Sequence, residues 1–151
     1  MNGNIVSLLI AAGSFTADQA AKLAADKKLS DGRQIKLAGG VITLQRAENS
    51  GFAKNRLSDR KKLVVGASTI VFAICVVLYA ITLSKPGFHV MKAGLGLVLG
   101  GAAGNVFDRI RRGKVTDFII AKPINSIIFN LADFFILTGA IVTVMCDLLK
   151  E

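Results

Sequence analysis

Two aspartates stand in apolar surroundings in the last third of the sequence, Asp117 within GKVTDFII and Asp133 within IIFNLADFFILTG. A carboxylate inside a membrane helix costs about 2.5 to 3.5 kcal/mol at mid-bilayer on insertion scales, and by default marks a functional site. Counted from Ile127 at the ~1.5 Å rise of a helix, Asp133 is expected roughly 9 Å inside the helix start, shallow enough to meet water. The FII run after Asp117 is expected to draw that residue to the same depth. Two carboxyls brought together there do not both ionise cheaply, so one keeps its proton and the pair titrates as a unit. That arrangement suits hydrolysis of a peptide: one carboxylate takes a proton from water, and its protonated partner polarises the carbonyl and helps the amine leave. The residues alone leave two other readings open. One is a buried ion pair of an Asp with Arg109 or Lys22, and the other is the proton-relay carboxylate of a small transporter.

Other chemistries find little support. The single histidine, His89, sits in a short loop, and HExxH, P-loop and dinucleotide-binding fingerprints are missing. Cys75 and Cys146 lie in apolar runs with neither a CxxC spacing nor a flanking histidine, which argues for packing and against a disulfide framework or zinc. No metal or other cofactor is expected.

Elements that must position the aspartates follow from composition. Of 151 residues 52% are hydrophobic and 19% charged, too apolar for an ordinary water-soluble domain and too short for more than one. The fold expected is an all-α integral membrane protein, a single unit over residues 1–151 with four spans near 4–22, 64–83, 91–107 and 127–149. Residues 64–83 carry no charge and match the ~20 residues that cross the hydrocarbon. Residues 4–22 are the least apolar; without the Lys/Arg start of a signal peptide they are read as an anchor. Between the first two spans, residues 23–63 contain strand-like RQIKLA and VITLQRA around Gly39 and Gly40, which predicts a small β-ribbon outside the bilayer. Residues 108–126 read as a longer connection. Gly96, Gly100 and Gly104, four apart, predict close helix packing that presses Asn105 and Arg109 towards the helix carrying Asp133. Crossing parity then gathers Asp18, Asn49, Asn105, Asp108, Asp117, Asn130 and Asp133 on one membrane face.

GGAAGNVFDR (100–109), GKVTDF (113–118) and FNLAD (129–133), three blocks in order within 34 residues, resemble the signature blocks of lipoprotein signal peptidase, also called signal peptidase II. DQAAK (18–22) is similar to that family's DQxxK, and NSGFA (49–53) to its NxGxA. The resemblance implies a four-helix membrane aspartic peptidase that removes signal peptides from bacterial prolipoproteins, just before the diacylglyceryl-modified cysteine. It implies Asp117 and Asp133 as the catalytic pair. Asn105, Arg109 and Asn130 would orient the carboxylates or the scissile peptide, and Asp18, Lys22, Asn49 and Gly51 would complete the site. It also implies sensitivity to globomycin-type cyclic peptides, a monomer, and residence in the bacterial cytoplasmic membrane with the site at the outer face. Where the family's NxGxA segment continues with an apolar aromatic, this chain places Lys54, a cation beside the proposed cleft.

The net charge of +9 would suggest nucleic acid in a soluble protein, but beside a bilayer it is read as contact with anionic lipid head groups. Fifteen Lys and Arg fall on the implied outer face against Lys85, Lys92 and Lys150 inside, so the positive-inside rule taken alone argues for the reverse orientation. A catalytically silent relative that binds lipopeptides and a small proton-coupled transporter are the alternative functions.

Overall fold

A computed structural model describes residues 2–51, 57–124 and 127–149. The chain is mostly helical, with α1 over Gly3–Lys28, α2 over Lys61–Leu83, α3 over His89–Arg112 and α4 over Leu131–Leu148. Among the described residues, α2, α3 and α4 are long and apolar enough to cross a membrane. The 26-residue α1 has the length but carries Asp18, Lys22, Asp26, Lys27 and Lys28 in its second half.

α3 is the central helix and touches the other three. Its glycine ridge does not face α4 as the sequence suggested; it faces α1. A Cβ at Gly96 would stand 2.6 Å from the Ser7 carbonyl oxygen, one at Gly100 would strike Ser14 and Ala11, and one at Gly104 would strike the Asp18 carboxylate. The approach to α4 uses another pair of glycines: a Cβ at Gly101 would stand 2.6 Å from the Ala132 carbonyl oxygen, and Gly139 lies against the backbone of Gly94. At 100° per residue, small residues four apart mark one stripe, and a run this rich in glycine offers two. Gly104→Val is expected to destabilise the protein by about 1 to 3 kcal/mol or more by overpacking, seen as a lower thermal midpoint in detergent.

α2 turns the other way. Only Val64 and Tyr79 are buried, while Ile70, Val71, Ile74, Val77 and Ile81 face outward, the pattern of a helix that touches lipid. At the end of the bundle far from the aspartates, the buried Lys92 ammonium donates to Asn4 Oδ1 at 2.9 Å and to the Lys85 carbonyl at 2.6 Å. Asn4 in turn donates to the Leu83 carbonyl at 3.1 Å, so one cation ties the start of α1 to the end of α2. Lys92→Met strands those acceptors and is expected to cost about 1 to 3 kcal/mol, read from the same thermal midpoint.

The ribbon expected between the first two helices is present, with β1 over Gln34–Leu37, β2 over Ile42–Asn49 and a short turn at Ala38–Gly40. Gly39 and Gly40 take φ of 64° and 89°, as a turn at this position needs. The sheet is larger than expected. β3 over Val115–Ala121 and β4 over Ile128–Phe129 extend it to four antiparallel strands in the order β1-β2-β3-β4. The fold is therefore not all-α. The connection read after the third span splits in two: DRIRR continues α3, which ends at Gly113 with φ +69°, and the next residues form β3. β3 alternates sides: Phe118 packs with Ala25 of α1 and with Leu29 just beyond its end, whereas Val115 and Asp117 face a cavity on the other side.

Candidate active site

Asn105 and Arg109, one helical turn apart at the end of α3, face the cavity together. The register Ala47↔Asp117 brings Asp117 beside β2, whose last residue is Asn49. Asn130 and Asp133 open α4. Asp133 is not two turns inside the helix as its spacing from Ile127 suggested, because residues 128–129 are strand and the helix begins at Leu131. It occupies the third helical position and closes a capping box: the Asp133 N–H donates to Asn130 Oδ1 at 3.1 Å, and the Asn130 N–H donates to Asp133 Oδ2 at 3.0 Å.

These residues enclose about 320 Å³, with Val115 and Ile127 to Phe129 as the apolar wall. Every oxygen of the two carboxyls receives a nitrogen donor. Asp117 Oδ1 accepts from Asn130 Nδ2 at 2.7 Å, and Asp117 Oδ2 accepts from Asn49 Nδ2 at 3.0 Å. Asp133 Oδ1 accepts from Asn105 Nδ2 at 3.1 Å, and its Oδ2 takes the Asn130 N–H just described. Asn130, 1% exposed, thus contacts both carboxyls, one by side chain and one by backbone. Burial pushes the Asp117 carboxyl up to about 6; the amides of Asn130 and Asn49 hold it down in part, and the charge of Asp133 adds to the rise.

Arg109 Nη2 donates to the Gly51 carbonyl at 3.1 Å, and the Gly51 N–H donates to Asn49 Oδ1 at 3.1 Å, which fixes the end of β2 at the cavity rim. Asp18 and Lys22 lie behind Asn105 and do not line the cavity themselves. The Lys22 ammonium stands 2.7 Å from Asp18 Oδ2 and 2.9 Å from Asp108 Oδ2, and donates to Asn105 Oδ1 at 2.9 Å. The Asp108 approach is close enough for charge attraction, but its angle falls short of a hydrogen bond. The carboxylates that Lys22 touches are therefore Asp18 and Asp108, and the cavity aspartates are held by amides. Asp18 Oδ1 accepts the Ala132 N–H at 2.9 Å and so also fixes the start of α4. Lys54 lies outside the described residues.

Two further acidic groups support this end of the molecule. Asp108 also receives Arg112 Nη2 at 2.9 Å, and Asp26 gathers Arg46, Arg112 and Thr116 from β2, α3 and β3. Crossing parity already places Asp108 on this face, and its four-residue spacing from Arg112 marks that pair. Asp26 had no such signal, since it falls in the stretch read as loop.

Three helices long and apolar enough to cross a membrane, with two carboxyls in a small cavity beside the ends of two of them, fit a membrane protein with a buried acidic site. Comparison with known proteins agrees: the profile of the family described as Signal peptidase (SPase) II matches residues 10–149, and the chain belongs to that family. It is 35% identical over 148 residues to the lipoprotein signal peptidase of Caldicellulosiruptor bescii, covering 97% of this chain and 93% of that one. To the lipoprotein signal peptidase of Pelotomaculum thermopropionicum it is 38% identical over 135 residues, covering 87% and 84%. A solved bacterial membrane enzyme, determined in meso at 2.3 Å, superposes with a TM-score of 0.80 at 26% identity over 96% of this chain and 88% of that chain.

Proposed function

We propose that the chain removes signal peptides from bacterial prolipoproteins, cutting the peptide bond just before the diacylglyceryl-modified cysteine, with Asp117 and Asp133 as the catalytic pair. The observation that carries this reading is the single cavity in which Asn130 contacts both carboxyls. In the singly protonated pair, the ionised carboxyl takes a proton from water as the water oxygen bonds to the scissile carbonyl carbon. The protonated partner hydrogen-bonds the carbonyl oxygen as negative charge develops there. Collapse breaks the C–N bond, a proton passes to the cysteine nitrogen, and the pair returns to one proton. No covalent intermediate with the enzyme is needed. Arg109 holds the Gly51 carbonyl at the rim and brings positive charge to the cavity.

A lipid-linked substrate fits the surroundings. A second, apolar recess of about 200 Å³ between α2 and α3 is lined by Val71, Phe72 and Val106 and shares Asn105 and Arg109 with the catalytic cavity. Apolar chains can remain in lipid there while the peptide reaches the aspartates. Globomycin-type cyclic peptides are expected to compete for the same cavity.

In this reading α1 makes the fourth crossing, both termini are cytoplasmic, the sheet is a cradle on the outer face, and the protein acts as a monomer. Among the cations that argue against this orientation, Arg46 is paired with Asp26 and Glu48, Arg112 with Asp26 and Asp108, and Lys114 with Glu48. Lys36→Cys on the exposed strand β1, in a Cys75→Ala/Cys146→Ala background, is expected to react with a membrane-impermeant maleimide in intact cells. Labelling only after permeabilisation would reverse the orientation.

The pH profile tests the pair itself. A carboxyl raised to about 6 keeps its proton up to that pH and loses it above. The productive singly protonated state therefore drains away on the alkaline side, and kcat/KM is expected to fall roughly tenfold per pH unit there. A flat profile between pH 6 and 8 would contradict a shared proton.

A further inference from the structure

Three asparagines turn their amide nitrogens towards the two carboxyls, and each is held in that orientation by a donor on its own oxygen. Asn49 Oδ1 is fixed by the Gly51 N–H and Asn130 Oδ1 by the Asp133 N–H, both backbone groups. Asn105 Oδ1 accepts from side chains, Lys22 Nζ at 2.9 Å and Asn130 Nδ2 at 3.1 Å. An ammonium has three donors and no acceptor, so whatever faces it must be oxygen. Turning the Asn105 amide over would set its NH2 against the Lys22 ammonium and its carbonyl against Asp133.

We propose that Lys22 is a positioning residue for the hydrolysis: its ammonium, held by Asp18 and Asp108, fixes the Asn105 amide so that Nδ2 faces Asp133. The inference rests on the assignment of Asp117 and Asp133 as the catalytic pair. Lys22 is 1% exposed, as is Asp108, and Asp18 is fully buried, so the ammonium is shielded from solvent where it stands. It sits on α1, whereas Asn105 is on α3 and Asp133 on α4, so one cation sets the relation among three helices. The charge-assisted bond to Asn105 is the stronger of the two that the amide oxygen receives. With Lys22 gone only the neutral bond from Asn130 remains, and Asn130 also serves Asp117 and caps α4. The Asn105 amide then rotates, and Asp133 loses the donor that aims its carboxylate.

The test is a double-mutant cycle on the purified enzyme with a diacylglyceryl-modified prolipoprotein, reading kcat and KM separately. Lys22→Met leaves two buried carboxylates without their cation, so a second variant, Asp18→Asn/Lys22→Met/Asp108→Asn, removes their charges too. Asn at 18 keeps the oxygen that accepts from Ala132, and Asn at 108 keeps the one that accepts from Arg112. For folded protein of either variant, kcat is expected to fall about 100-fold with KM changed by less than about threefold, the scale of a catalytic group displaced by about 1 Å. Asn105→Ala is expected to lose about as much, and adding either Lys22 variant to it to lose little more, because the residues act as one unit. A loss that multiplies to about 10,000-fold in the combined variant would overturn the proposal, as would wild-type kcat in the triple variant. Asp117→Asn and Asp133→Asn are run alongside. If they retain turnover, the assignment of the pair has failed; if they are inactive and the cycle is additive, only the role of Lys22 has.

Discussion

Asp117→Asn and Asp133→Asn are each expected to lower the turnover of a lipidated prolipoprotein by about 10,000-fold or more, with folded protein still recovered, as for removal of one member of a catalytic unit. The amide has nearly the shape of the carboxyl but can neither take a proton from water nor pass one to the leaving nitrogen. Their effects on stability should differ. Asp133 spends one oxygen on the Asn130 N–H and the other on Asn105, and an amide can accept with only one of its two ends, so Asp133→Asn weakens the start of α4 by about 1 kcal/mol. At Asp117 burial dominates. Its carboxyl is raised from the ordinary 3.8 to about 6, so the native state holds a proton that the unfolded chain releases. Wild-type stability therefore falls as pH rises from about 4 to about 6, by about 3 kcal/mol in all, and then levels off. Asp117→Asn abolishes that slope. Relative to wild type, its thermal midpoint should rise between pH 4 and pH 8, whatever constant cost arises from presenting one acceptor to two amide donors. Parallel pH dependences in the two proteins would show that Asp117 titrates normally.

Asn130→Ser separates two roles that one side chain combines. Serine at this position still accepts the N–H of Asp133 and caps α4 about as well as asparagine, so the helix should keep its stability to within about 0.5 kcal/mol. It is too short to replace the 2.7 Å bond from Asn130 Nδ2 to Asp117, and it removes the donor to Asn105 Oδ1 as well. Turnover is expected to fall about 100- to 1,000-fold, the range seen when one preorganised donor is removed from a catalytic site. Asn130→Ala should lose as much activity and about 1 kcal/mol of stability besides. If serine kept near-wild-type turnover, Asn130 would be a cap only, and its amide would not be needed to link the carboxyls.

Asp117 and Asp133 stood out in the sequence as carboxyls in apolar runs, and Asn105, Arg109, Asn130 and Asn49 through the motif blocks that carry the family resemblance; all six line one cavity. Their supports were harder to read. β3 escaped notice because Val115 to Phe118 are buried on both faces, so the strand shows no polar alternation. One of its partners is also distant, since β2 ends at Asn49 and β3 begins at Val115. The depth of Asp133 was misjudged because Ile127 to Phe129 are as apolar as the helix that follows, and only the Asn130 cap marks the boundary. The outer turns of α1 look like loop by composition. Of their charges, Asp26 pairs with Arg46 and Arg112, contacts across the fold that no local pattern reveals. The hairpin at Gly39 and Gly40 was readable because its signal is local.

Wild-type protein and the Asp117→Asn/Asp133→Asn double variant would be reconstituted in lipid and given a diacylglyceryl-modified prolipoprotein and its unmodified form, with the products read by mass spectrometry. Wild type is expected to release the signal peptide with a free carboxylate and leave a free amine on the lipidated cysteine, cutting the modified substrate far faster than the unmodified one. The double variant is expected to leave both substrates intact. A wild type that binds the lipidated substrate without cutting it, or a double variant that still cuts before the cysteine, would contradict the assignment of Asp117 and Asp133 as a hydrolytic pair.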